Sequence, residues 1–237
     1  DVLGANTSGA YNTAVGDQSL AANTTGGSNV AVGASVLAAN TTGTQNVAVG
    51  NNALDATGAG TDGSYNVAIG NDALGANTEG QFNIAVGRRA LYANTTADEN
   101  TALGYIALLD NTIGAGNTAV GVSALQANTT ASNNVAVGNR ALTANTTGAD
   151  NIAVGKSALG ANTTAADNIA IGTNSLVTNT TGTANVSVGT SAMYNNNASN
   201  NTAVGAIALN QNTTGAGNVA LGKSALQANT TASENVG

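Results

Sequence analysis

Apolar residues recur along this chain at a fixed spacing. An Asn is followed by a β-branched residue, a small residue, a second large aliphatic and a Gly, as in Asn29-Val30-Ala31-Val32-Gly33, and Leu37 comes four residues later. Numbering that Asn as position 1, it falls at Asn12, Asn29, Asn46, Asn66, Asn83, Asn100, Asn117, Asn134, Asn151, Asn168, Asn185, Asn201, Asn218 and Asn235. The step is 17 residues, with one step of 20 and one of 16. A short period held from end to end predicts an array of stacked, near-identical units, each resting on its neighbours.

Within a unit, positions 2 to 4 alternate β-branched, small and aliphatic, which is the period-2 signature of a short strand. Gly at position 5 (Gly33, Gly50, Gly70, Gly87) ends that strand, where φ turns positive or a neighbouring backbone leaves no room for a Cβ. Leu at position 9 predicts a second short strand, with positions 2, 4 and 9 sharing one interior. Asn, Thr and Gly are weak helix formers and leave no segment long enough for a helix. The expected fold is all-β: a parallel β-solenoid, or β-roll, of about 14 coils. Coils stacked about 4.8 Å apart give a rod about 60 to 70 Å long.

Both irregular steps change length after position 9. The long coil carries its extra residues in 55–65 and the short one loses a residue in 194–200. The Asn-to-Leu half is therefore the fixed frame, and the second half holds an outer loop. Residues 1–237 form one repeat array that starts and stops inside a repeat, as expected of a segment of a longer protein.

Three columns follow from stacking. Asn at position 1 (Asn29, Asn46, Asn66, Asn83, Asn134, Asn151) and at position 12 predicts two side-chain ladders that satisfy turn backbone and bond the next rung. Asn-Thr-Thr also matches a glycosylation acceptor, but its place in coil after coil fits a ladder. Thr at positions 13 and 14 (Thr41, Thr42, Thr129, Thr130, Thr146, Thr147) forms columns that offer a contact surface. If positions 2, 4 and 9 face inward, Ala31, Ala48, Ala68, Ala85, Ala136 and Ala153 at position 3 face outward as an apolar stripe for another chain. The alternative is a thinner coil with these Ala residues inside.

Composition narrows the function. The chain has no His, Cys, Pro or Trp, one Phe, and 7% charged residues. No imidazole base, thiolate nucleophile or soft metal ligand is available, so an enzyme is not expected and no catalytic, cofactor or metal residue is assigned. Net charge is −7 with five cations, which disfavours nucleic acid and anionic membranes. No apolar run reaches the roughly 20 residues of a membrane-spanning helix. Asp55 and Asp62 read as a solvated loop rather than a calcium motif. Arg88-Arg89 is expected to face Asp72 or Asp98-Glu99, and Tyr92, Tyr105 and Tyr194 to decorate the surface.

The segments Asn29-Val30-Ala31-Val32-Gly33, Asn66-Val67-Ala68-Ile69-Gly70 and Asn168-Ile169-Ala170-Ile171-Gly172 resemble the repeat of YadA-like heads of trimeric autotransporter adhesins. They are also similar to repeats of phage tail fibres and large surface proteins. Two departures are the missing residue between Asn and Val-Ala-Val-Gly and the Asn-Thr-Thr that lengthens each coil beyond the family's usual one. The resemblance implies a left-handed β-roll, homotrimer formation and an extracellular, cell-surface or virion tail-fibre location, but no particular ligand, since such heads differ in what they bind; a host surface, matrix or carbohydrate is the expected partner of a surface fibre. The expected function is a structural and adhesive rod. Two other readings are an ice-binding solenoid using the Thr columns and a unit of a homopolymeric filament.

Overall fold

The computed structural model describes residues 1–56 and 63–237. Two compact units divide the chain, Asp1–Asn117 and Thr118–Gly237. The first holds β1 (Thr13–Val15), β2 (Val30–Val32), β3 (Val47–Val49), β4 (Val67–Ile69), β5 (Ile84–Val86) and β6 (Thr101–Leu103). The second holds β7 (Thr118–Val120), β8 (Val135–Val137), β9 (Ile152–Val154), β10 (Ile169–Ile171), β11 (Val186–Val188), β12 (Thr202–Val204) and β13 (Val219–Leu221). In each unit every strand pairs in parallel with its sequence neighbour, like position on like position, for example Ala31↔Ala48 and Ala136↔Ala153. The fold is a parallel β-solenoid without helices among the described residues.

Register survives both irregular coils. Val47 pairs with Val67 across the 20-residue step and Val186 with Thr202 across the 16-residue step. The length changes are absorbed outside the frame, as surface loops allow.

Two features differ from the sequence reading. Each coil has one strand, not two, because Leu at position 9 adopts a left-handed turn conformation (Leu20 φ 51°, Leu142 φ 51°). A left-handed conformation costs a non-Gly residue about 1 to 2 kcal/mol. Complete burial of the Leu side chain, worth about 1.5 to 3 kcal/mol, offsets it. The second difference is orientation. Ala31, Ala48, Ala68, Ala85, Ala136 and Ala153 are fully buried inside their own coils, so they are not an interface with another chain. Val, Ile, Leu and Thr at positions 2 and 4 face outward instead, with Ile69 40%, Ile84 43% and Ile171 41% exposed. The lumen is narrow: in most coils one Leu, the Ala at position 3, Ala or Ser at position 8 and two Asn side chains fill it, with Val36 at position 8 and Met193 at position 9 as the larger exceptions.

Gly at position 5 meets both of its predicted conditions. Gly70 has φ 133°, and a Cβ there would lie 2.6 Å from the carbonyl oxygen of Gly87 on the next coil. The single Ser at position 3, Ser187, is matched by a Ser at position 8 of the preceding coil. Ser175 Oγ donates to Ser187 Oγ at 2.7 Å and lies 2.9 Å from the Ser187 carbonyl, while Ser187 Oγ donates to the carbonyl of Ala192. Because Ser175 keeps the backbone acceptor, Ser187→Ala is expected to shift unfolding stability by less than about 1 kcal/mol. A chemical-denaturation comparison checks this.

Candidate functional site

Two Asn ladders converge on one backbone carbonyl in each regular coil. Position 1 uses its Oδ1 to accept the backbone N–H of the next position-1 Asn: Asn46 N to Asn29 Oδ1 at 2.9 Å, Asn66 N to Asn46 Oδ1 at 2.9 Å and Asn151 N to Asn134 Oδ1 at 3.0 Å. Its Nδ2 donates to the carbonyl at position 15, as Asn29 does to Gly43 and Asn83 to Ala97. Position 12 donates to the same carbonyl and to the Oδ1 of the previous rung, as Asn40 does to Gly43 O and Asn23 Oδ1. These side chains are buried, and the ladder fills the hydrogen-bonding needs of a lumen closed to water.

The Thr columns separate into two kinds. At position 13 the hydroxyl is half-buried and bonds the carbonyl of the next coil, as Thr129 does to Thr146 and Thr146 to Thr163. Thr41 belongs to this half-buried column. At position 14, Thr42, Thr130 and Thr147 are exposed, with Glu79 and Ile113 interrupting that column. The short coil loses this pair, and Asn197 takes its place: its Oδ1 accepts the N–H and hydroxyl of Thr180.

The first unit also carries a cavity of about 710 Å³. It opens where position 10 is small, at Ala38 and Gly75, and its wall includes Asp55, Asp72, Asn52 and Tyr92. Asp55 is only 9% exposed and so is not a solvated loop residue. Burial pushes its carboxyl above the ordinary value of 3.8, against the opposing effect of hydrogen bonds from the backbone N–H groups of Ala39 and Ala38. Asp62 lies outside the described residues, as does much of the 55–65 loop.

Arg88 and Arg89 do not reach the predicted carboxylates within ion-pair distance. The Arg89 guanidinium stacks 4.6 Å from the centre of the Tyr92 ring, and Arg88 lies 5.8 Å from that of Tyr105, with Nη1 donating to its hydroxyl at 3.4 Å. Tyr65 stacks on Phe82 at 5.0 Å. Spacing held the signal for two of these pairs, Arg88–Tyr105 and Tyr65–Phe82, which join equivalent positions on adjacent coils, while Arg89 and Tyr92 share one coil. The outward strand face and the partly enclosed Asp55 were not found from the sequence.

Among the described residues no three His, Cys, Asp or Glu side chains gather as a metal cluster, and no helix is long and apolar enough to cross a membrane. Comparison with protein-family models, curated proteins and solved structures found no match.

Proposed function

We propose that this chain is a structural and adhesive rod segment of a bacterial or phage surface fibre, non-catalytic and assembled as a homotrimer. The observation that carries the reading is the outward strand face. In each unit the strands present Val, Ile, Leu and Thr at positions 2 and 4 on one side of a continuous sheet, with Leu103 46% and Val219 41% exposed. Soluble monomers rarely leave a contiguous apolar patch beyond a few hundred Å² open to water, and a flat β-branched surface packs well against copies of itself. The face repeats once per coil, so association along it keeps pace with length. Symmetry closes such an assembly, and the resemblance to adhesin heads favours three copies. In this reading the exposed position-14 Thr column and the outer loops meet the host surface, matrix or carbohydrate.

The ice-binding reading gains no specific support, because the position-13 hydroxyls are engaged within the solenoid.

Sedimentation equilibrium tests the assembly. The wild-type chain is expected at the mass of three protomers. Val137→Glu places a charge on the shared face and is expected to yield monomers, with the monomer's unfolding stability changed by less than about 1 kcal/mol. A wild-type chain that stays monomeric at tens of micromolar would overturn the proposal.

A further inference from the structure

Charge along the solenoid follows a rule that packing within the chain does not require. All five cations, Arg88, Arg89, Arg140, Lys156 and Lys223, occupy position 6 or 7, just past the Gly that ends the strand. They fall in four coils, those beginning at Asn83, Asn134, Asn151 and Asn218. The same four coils, and no others, carry an acid at position 16 or 17, just before the next strand: Asp98 and Glu99, Asp150, Asp167 and Glu234. Arg89 is half-buried and the others are exposed.

These charges do not serve each other within one chain. Among the described residues no Lys or Arg side chain lies within ion-pair distance of an acid. Positions 17 and 6 stand at opposite ends of the strand, roughly 15 Å apart at about 3.3 Å per residue. Between them lies the outward face of Val, Ile, Leu and Thr, so in each unit the apolar face has a basic flank and an acidic flank. Of the remaining acids, Asp1, Asp17 and Asp72 stand on the basic flank, but in coils whose other flank is uncharged: Ala10-Tyr11, Gly27-Ser28 and Gln81-Phe82.

We propose that the two flanks meet between copies of the chain, the basic flank of one against the acidic flank of the next, and that these ion pairs hold the copies parallel and in register. The inference rests on the assembly proposed above and specifies its geometry. A rotation axis along the stacking direction turns one strand end for end relative to the strand it faces, so position 6 of one copy meets position 17 of its neighbour. The rise from position 6 to position 17 of one coil is about 3 Å of the roughly 4.8 Å repeat, a step that a Lys or Arg side chain spans. Lys156 then meets Asp167 of the neighbouring copy, with that copy's Asp150 one coil away, and Lys223 meets its Glu234. Arg140 meets Asp150, and Arg88 meets Asp98 and Glu99. A two-fold axis along the strands keeps their direction instead and sets acid against acid and cation against cation, which selects against an antiparallel pair. A slip of one coil leaves Arg88 opposite Gly116 or Phe82, with no acid at its level.

The experiment uses the full 237-residue chain, in which Lys156 and Lys223 are the only lysines. Carbodiimide joins an amine to a carboxylate already in contact with it and adds no spacer. The assembled chain is expected to give covalent dimers and trimers on a denaturing gel, whose joined peptides link Lys156 to Asp167 or Asp150 and Lys223 to Glu234. Sedimentation equilibrium gives a second readout. Lys156→Glu is expected to raise the protomer concentration at half-assembly about tenfold, and adding Asp167→Lys to recover most of that loss. An assembly whose lysines stay unlinked, or link only to acids of other coils, overturns the flank pairing and leaves the assembly standing. So does a Lys156→Glu chain that assembles like the wild type. A monomeric wild-type chain overturns the assembly itself and the pairing with it.

Discussion

Gly138→Ala lowers unfolding stability by roughly 3 to 5 kcal/mol. Gly138 has φ 134°, a region nearly closed to residues with a Cβ, which costs about 1 to 3 kcal/mol. An added Cβ would also lie 2.7 Å from both the carbonyl carbon and oxygen of Gly155 on the next coil. Those are backbone atoms held in the ladder, since Gly138 N donates to Val120 O at 2.7 Å and Gly155 N to Val137 O at 2.8 Å. Relief requires the coils to part, and overpacking of this kind adds about 1 to 3 kcal/mol. Gly160→Ala is the control: its nearest obstacle is the Ser157 carbonyl at 3.2 Å and its φ is not in the left-handed region, so the loss stays within about 1 kcal/mol. Guanidinium unfolding of both variants decides the point, and equal losses would refute the close-approach argument.

Asn151→Ala is expected to cost roughly 2 to 4 kcal/mol. Asn151 Oδ1 accepts the backbone N–H of Asn168 at 3.0 Å and its side-chain Nδ2 at 3.3 Å, while Asn151 Nδ2 donates to Ala165 O at 2.9 Å. Truncation leaves the buried Asn168 N–H without its acceptor, worth about 1 to 3 kcal/mol, and opens a hole in a lumen with little freedom to collapse. Ala165 O suffers less, because Asn162 Nδ2 still bonds it at 2.9 Å. Amide exchange locates the damage: protection is expected to fall most at Asn168. Thr147→Ala on the exposed column is the comparison, with a change below about 0.5 kcal/mol. A uniform loss of protection across the second unit would instead mean that the ladder acts only through global stability.

The period, the strand at positions 2 to 4, the loop positions and the parallel solenoid are legible in the sequence, because stacking forces like residues onto like. Which side of the strand faces inward is not, because a period of two says which residues share a face and leaves the choice of face open. The clue lay in tolerance of size. Position 3 is Ala in every strand except at Ser187, as a tight lumen demands, while position 2 accepts Thr101, Thr118 and Thr202 beside Val and Ile. Leu at position 9 misled for a related reason. Its burial is real, but it reaches the lumen from a left-handed turn that propensity alone would not assign to Leu. Asp55 occupies position 10, where the residue type changes from coil to coil, so no periodic argument could show that its carboxyl is buried.

Most side-chain bonds of the ladders reach one coil forward, one coil back, or a few residues within their own coil. Such a chain has no central core whose loss would bring down the rest. A chemical lesion in one turn, such as deamidation of a single Asn, is confined to that turn and the two that touch it. Durability here comes from redundancy: the molecule fails by the coil, and each failure leaves the remaining turns their own bonds.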